Sequence, residues 1–168
     1  MSFTKDWIRK MDIDLENCHL YCCTTTDLFI YDFNGNILRH FPEIHKMPIT
    51  ACVYSPTAKL VITGSMDTSM KVWSLLGGLI EILHGHSKAI TKIILNPYCS
   101  NLIISSSLDG YIKMWSLDTM QEIYELNLHE TEILSMGVTN DKYLYVVSDY
   151  DLKIWSINNF IEFWSHSK

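Results

Sequence analysis

Three tryptophans recur at near-constant spacing. Each ends a short apolar run and each is followed by serine: Val72-Trp73-Ser74, Met114-Trp115-Ser116 and Ile154-Trp155-Ser156. Ile30-Tyr31-Asp32 is a fainter fourth member, and the steps between the aromatic residues are 42, 42 and 40 residues. A fixed period of that length, carrying β-like runs, marks a chain built by repeating one small unit. It constrains the fold more tightly than any single motif. One small unit cannot keep both faces of its sheet dry, so the units must stack on one another.

Aligned on the tryptophans, the segments share a plan. The second unit has runs at 49–54, 59–63, 70–73 and 79–83, separated by Ser55-Pro56-Thr57, Gly64-Ser65-Met66-Asp67 and Gly77-Gly78. The third has runs at 90–95, 101–105, 112–115 and 122–126, with turns at Asn96-Pro97 and Asp109-Gly110. The fourth has 133–138, 143–147, 152–155 and 160–164, with a turn at Asn140-Asp141. The first is looser, with 7–13, 20–25, 28–31 and 37–41 and a hairpin signal at Asn34-Gly35. β-Branched and aromatic residues fill the runs, and turn-forming residues bound them. The pattern predicts an all-β chain without helix. It reads as a single domain over 1–168, with units about 5–42, 43–84, 85–127 and 128–165.

Composition removes several function classes. At 48% hydrophobic residues the chain is not a disordered segment. Its net charge is −6 and no basic block stands out, which argues against nucleic-acid binding. The most apolar stretch, 75–83, is broken by Gly77, Gly78 and Glu81 and is too short for membrane insertion. The opening residues carry no apolar stretch of a signal peptide. Five cysteines, Cys18, Cys22, Cys23, Cys52 and Cys99, include no C-x-x-C pair. They read as buried reduced thiols of a cytoplasmic, intracellular protein.

Gly85-His86 opens the third unit, while Ile44-His45 and Leu128-His129 keep the histidine and lose the glycine. Together with the Trp-Ser ends and the forty-residue period, these residues resemble the WD-repeat family of β-propellers, with four strands per blade. The resemblance implies a buried set of His, Ser or Thr, Asp and Trp in each repeat. Unit two matches with His45, Thr63, Asp67 and Trp73; unit three matches with His86, Ser105, Asp109 and Trp115. Unit four matches in part with His129, Asp149 and Trp155, and Val146 or Val147 falls where the hydroxyl belongs. Unit one has Asp27 and Tyr31 without a matching His or Trp.

These His, Ser and Asp residues are not a hydrolase triad, because they recur with the repeat and lack a single activated serine in a cleft. His84-Gly85-His86 lacks the further ligands that zinc wants. Asp149-Tyr150-Asp151 is too short for a calcium loop and reads as a solvated turn. Gly77-Gly78 is a hairpin turn and not a phosphate cradle. No catalytic, cofactor or metal residue is assigned, and the chain is read as non-enzymatic.

The resemblance further implies a rigid platform for other proteins. Partner contacts are expected on the loop after each histidine (Lys46, Pro48, Ser87, Ala89, Glu130, Glu132) and in the turn before each aspartate (Met66, Leu108). Met66 and Leu108 are large and apolar where a loop should be polar. They either tuck against neighbouring loops or form an apolar patch near the channel mouth. Trp7 and Trp164 either pack under the terminal strands or mark docking surfaces. Four blades imply an incomplete propeller: a fragment or short isoform of a larger one, or an arc completed by a partner or by self-association through open blade faces. A structural blade set within a larger multidomain protein, for example axonemal or trafficking, is the other reading, so a cilium or flagellum stays open as a location.

Overall fold

Short runs rich in β-branched and aromatic residues form strands, and the inner ones, at 60–65 and 102–107, are buried on both faces. The computed structural model of the chain describes residues 6–76, 78–127, 131–139 and 141–156. In it, β1 (Lys10–Asp14), β2 (His19–Cys23), β3 (Leu28–Asp32) and β4 (Ile37–Phe41) form the first sheet. The second holds β5 (Ile49–Ser55), β6 (Leu60–Ser65), β7 (Met70–Ser74) and β8 (Gly78–Leu83). The third holds β9 (Ile90–Leu95), β10 (Leu102–Ser107), β11 (Tyr111–Ser116) and β12 (Gln121–Asn127). β13 (Ile133–Val138), β14 (Tyr143–Ser148) and β15 (Leu152–Ser156) make a three-stranded fourth sheet among the described residues. All neighbours are antiparallel and follow chain order, and no described residue is helical. This is a partial β-propeller.

Short connections force the meander, and side chains fix the turns. Asp14 accepts the amides of Glu16 and Asn17 between β1 and β2. Asp32 accepts the amides of Asn34 and Asn36 between β3 and β4. The Asn34-Gly35 signal marks this hairpin, but as a four-residue loop with Gly35 at φ 83°. The register slips beside the repeating aromatic residue, between Ile30 and Tyr31, Val72 and Trp73, and Met114 and Trp115. Such a bulge bends the strand and raises its twist, and nothing in the spacing revealed it.

The core lies between sheets, not within them. Tyr21, Leu28 and Ile30 of sheet one close on Tyr54, Val61 and Trp73 of sheet two. Ile62, Met70 and Val72 of sheet two close on Ile90, Ile103 and Trp115 of sheet three. Ile104, Ile112 and Met114 of sheet three close on Met136, Leu144 and Val146, with Trp155 packed alongside. Each tryptophan therefore leans on the preceding sheet, and the three occupy equivalent places. Burying one such side chain contributes about 1.5–3 kcal/mol, so each interface rests on several residues acting together.

The first strands of the sheets sit side by side. The Asp12 carboxylate on β1 accepts the Tyr54 amide on β5 at 2.7 Å. The Thr50 hydroxyl on β5 donates to the Ile90 carbonyl on β9. Gly64 on β6 lets β9 come close: a Cβ there would sit 2.6 Å from Cγ2 of Ile90 and 2.9 Å from Cδ1 of Ile93.

Some expectations need correction. Trp7 does not pack under the terminal strand; it is 86% exposed, because the β1 ladder begins beyond it with the Arg9 amide donating to Cys23. Cys18 is exposed in the β1–β2 turn, while Cys22 and Cys23 are buried and Cys52 and Cys99 half-buried; all five thiols are free. Gly77, His129, Glu130, Asn140, Trp164 and the run at 160–164 lie outside the described residues.

Gly64→Ala should force Ile90 and Ile93 apart and destabilise the chain by about 1–3 kcal/mol. Urea denaturation measures it; an unchanged midpoint would mean that sheets two and three do not pack this closely.

Candidate interaction surface and the clamps that hold it

The loops leading into β5 and β9, and those joining β6 to β7 and β10 to β11, lie at one end of the sheets. Two equivalent side-chain chains pin them. In the second sheet, His45 Nδ1 meets Asp67 Oδ2 at 2.9 Å and His45 Nε2 meets Thr63 Oγ1 at 2.8 Å. The Trp73 indole donates to the same hydroxyl at 3.0 Å. In the third, His86 Nδ1 meets Asp109 Oδ2 at 2.9 Å, His86 Nε2 meets Ser105 Oγ at 2.8 Å, and the Trp115 indole donates to Ser105 at 2.9 Å.

The direction of donation is set by the carboxylate. An ionised Asp accepts only, so Nδ1 of the histidine must carry the proton. In the neutral ring Nε2 then accepts from the hydroxyl, and the hydroxyl accepts from the indole. Each polar atom along this path has a partner where water is excluded: His45 and Ser105 are at most 2% exposed. Gly85 makes room for the third-sheet set, since a Cβ there would meet Cη2 of Trp115 at 2.9 Å.

The carboxylates also gather backbone amides. Asp67 accepts the Lys46 amide at 3.2 Å and the Ser69 amide at 3.1 Å. Asp109 accepts those of Ser87 at 2.9 Å and Tyr111 at 3.0 Å. Burial alone would raise the Asp109 pKa, but the His86 ring and these amides outweigh it and hold it at about 2. Asp67 likewise sits below its ordinary value; burial opposes this, while the Ser69 hydroxyl and His45 outweigh it. Burial pushes His45 below its ordinary value of 6.5, with Asp67 opposing.

A serine set escaped the reading of the sequence. Ser65 donates to the carbonyls of Met47 and Pro48 and accepts the Asp67 amide. Ser107 donates to the Lys88 carbonyl and accepts the Asp109 amide. The signal was present as Ser-x-Asp, repeated at Ser65-Met66-Asp67 and Ser107-Leu108-Asp109.

The outer sheets lack the full set. Val146 pairs with Lys153 as Thr63 pairs with Lys71, so Val146 and not Val147 takes the hydroxyl's place. Asp149 is exposed in the β14–β15 turn. In sheet one Cys22 takes the hydroxyl's place, opposite Phe29. Asp27 there accepts from His40 Nε2 at 2.8 Å and from the Glu43 amide, and His40 stacks on Phe29 at 4.1 Å.

Between the clamped loops lies a cavity of about 440 Å³. All four first strands contribute to it, through Lys10, Ile49, Ile90 and Leu134 among others, so it is the mouth of the axis they share. Met66, Ala89 and Leu108 complete its wall. The Met66 amide donates to Pro48 and the Leu108 amide to Ala89, each at 3.0 Å. Met66 is 46% exposed and Leu108 half-buried. The other expected contact residues stand apart: Lys46 and Ser87 spend their amides on the clamps, and Glu132 pairs with Lys88 at 2.9 Å. Among the described residues no group of three His, Cys, Asp or Glu could hold a metal ion, and no helix could cross a membrane.

Residues 35–74 and 77–116 match the family model of the WD domain, G-beta repeat. The chain carries WD repeats. It is 30% identical over 105 residues to apoptotic protease-activating factor 1 of Danio rerio, which covers 62% of this chain and 8% of that protein. It is 26% identical over 125 residues to transducin beta-like protein 2 of Homo sapiens, covering 68% of this chain and 28% of that one. It is 29% identical over 122 residues to COMPASS component SWD3 of Saccharomyces cerevisiae, covering 66% of this chain and 39% of that one. The chain thus spans well under half the length of these relatives. The repeat family is in general a non-catalytic scaffold for protein interactions.

A double-mutant cycle on Ser105→Ala and Trp115→Phe should give a coupling of about 1 kcal/mol, the net worth of one buried hydrogen bond. Strict additivity would show that the indole and hydroxyl do not act together. Acid should weaken the WD-repeat fold in two steps. The unfolded chain protonates the His45 ring near 6.5 while the folded chain resists, so stability is full above that pH and declines below it. A steeper loss follows between the ordinary aspartate value of 3.8 and about 2, where Asp109 is protonated. Thermal melts from pH 8 downward measure this, and His45→Gln should flatten the first decline.

Proposed function

We propose that this chain is a non-enzymatic interaction scaffold that receives a segment of another protein at the mouth of its shared axis. One observation carries the reading. Met66 and Leu108, at equivalent places in successive repeats, converge with Ala89 and Leu134 on a single cavity whose lining also holds Arg9 and Lys10. Large apolar side chains in a loop cost solubility unless something covers them. The clamps beneath hold both loops rigid, so a partner would meet a surface whose ordering entropy is already spent. Lys46, Ser87 and Glu132 would form the polar rim. The five free thiols fit an intracellular site of action.

A second reading has its own support. The chain spans 8–39% of the three relatives above. That fits a blade set working as part of a larger assembly, completed by further blades, by a partner or by another copy.

The test is affinity capture with quantitative mass spectrometry, comparing the natural chain with Met66→Asp/Leu108→Asp. A carboxylate on each loop tip should deplete the captured proteins roughly tenfold, a loss of about 1.4 kcal/mol, while the melting temperature stays close to that of the parent. Undiminished capture would remove the mouth as the docking place.

A further inference from the structure

A second cavity lies at the opposite end of the sheets from the clamps. It occupies about 610 Å³ between sheets one and two, where the β1–β2, β5–β6 and β7–β8 turns meet. Ile30, Leu60 and Leu75 form its apolar wall, and Leu38 and Leu76 stand exposed at its rim. Arg39 and Lys59 also line it, and no carboxylate does. Neither cation forms an ion pair or a side-chain hydrogen bond among the described residues. In a chain of net charge −6 this is a locally cationic, apolar pocket. His19 contributes a further polar wall, with its Nδ1 buried and without a hydrogen-bond partner among the described residues.

The third sheet shows what the corner looks like when it is closed. There Asn101 donates to both oxygens of Asp118 at 3.1 Å, tying the β9–β10 turn to the β11–β12 turn. Counting from the paired strands, Lys59 stands where Asn101 stands, and Leu76 where Asp118 stands. The second sheet has thus exchanged a self-satisfied polar pair for a lysine beside a leucine that is 84% exposed. Lys59 is held at φ 55°, a left-handed conformation that costs a side-chain-bearing residue energy and fixes the direction of its side chain.

We propose that this inter-sheet cavity is a second docking site, which takes a short extended peptide pairing large apolar side chains with Asp or Glu. The apolar wall would take one or two side chains, and Arg39 and Lys59 would take the flanking carboxylates. The volume is that of a ligand pocket. The charge selects an acidic segment over a basic one. This site is independent of the axis mouth, and each can fail without the other.

The experiment is selection of a phage-displayed library of random seven-residue peptides on the immobilised 168-residue chain. Fluorescence anisotropy on the enriched peptides follows. Leu, Ile, Phe or Met adjoining Asp or Glu should be enriched. Arg39→Glu/Lys59→Glu should weaken binding at least about tenfold, with Leu76→Ser weakening it less. Met66→Asp/Leu108→Asp should leave it unchanged, and unaltered melting curves control for folding. The proposal is overturned if no peptide is enriched, if the enriched peptides lack acidic residues, or if binding ignores the charge reversal. It is equally overturned if gel filtration shows a dimer that the charge reversal dissociates while no peptide binds.

Discussion

Each sheet in this chain has two apolar faces and too few residues to fold over either. Dryness is therefore obtained only between sheets, and the interfaces carry the stability. Trp73, Trp115 and Trp155 each lean on the sheet before them, and Gly64 lets the next sheet come close. Stability in such an array is roughly a sum of unit terms and nearest-neighbour terms. Loss of one interface is therefore felt by the two sheets that share it before it is felt elsewhere.

That interface also has to hold polar groups, because an indole N–H, a hydroxyl and an imidazole lie within it. An orphaned buried donor or acceptor costs about 1–3 kcal/mol, and the relay from tryptophan to aspartate leaves none orphaned. The carboxylate at the end of the relay gathers backbone amides from two loops. Packing below is in this way converted into rigid loops above. The interaction surface at the axis mouth depends on this conversion, since Met66 and Leu108 sit in the loops that Asp67 and Asp109 hold.

The two ends of the sheets differ in character. The clamped end ties its loops together through buried side-chain hydrogen bonds, and its mouth sets Met66, Leu108 and Leu134 beside Arg9 and Lys10. The opposite end, between sheets one and two, sets Arg39 and Lys59 beside exposed leucines, with no ion pair to either among the described residues. Repetition makes the difference visible, because sheet three supplies the closed version of the same corner with Asn101 and Asp118. A departure from an internal repeat is a local comparison that a non-repeating fold does not offer.

Local chemistry was legible from the residues alone. The period of the tryptophans and the turn residues located the strands, and the resemblance to WD repeats singled out His45, Thr63, Asp67 and Trp73, whose side chains are joined by hydrogen bonds. These are short-range regularities, repeated in register, and repetition averages out their noise. What touches across sheets was not legible. Ser65 and Ser107, the substitution of His40 for a missing partner of Asp27, the exposure of Trp7, and the gathering of Met66, Ala89, Leu108 and Leu134 at one mouth required coordinates. Periodicity fixes which way a side chain faces along its own strand. How near it comes to another sheet follows from twist, bulges and side-chain volume acting together, and those are properties of the packed whole.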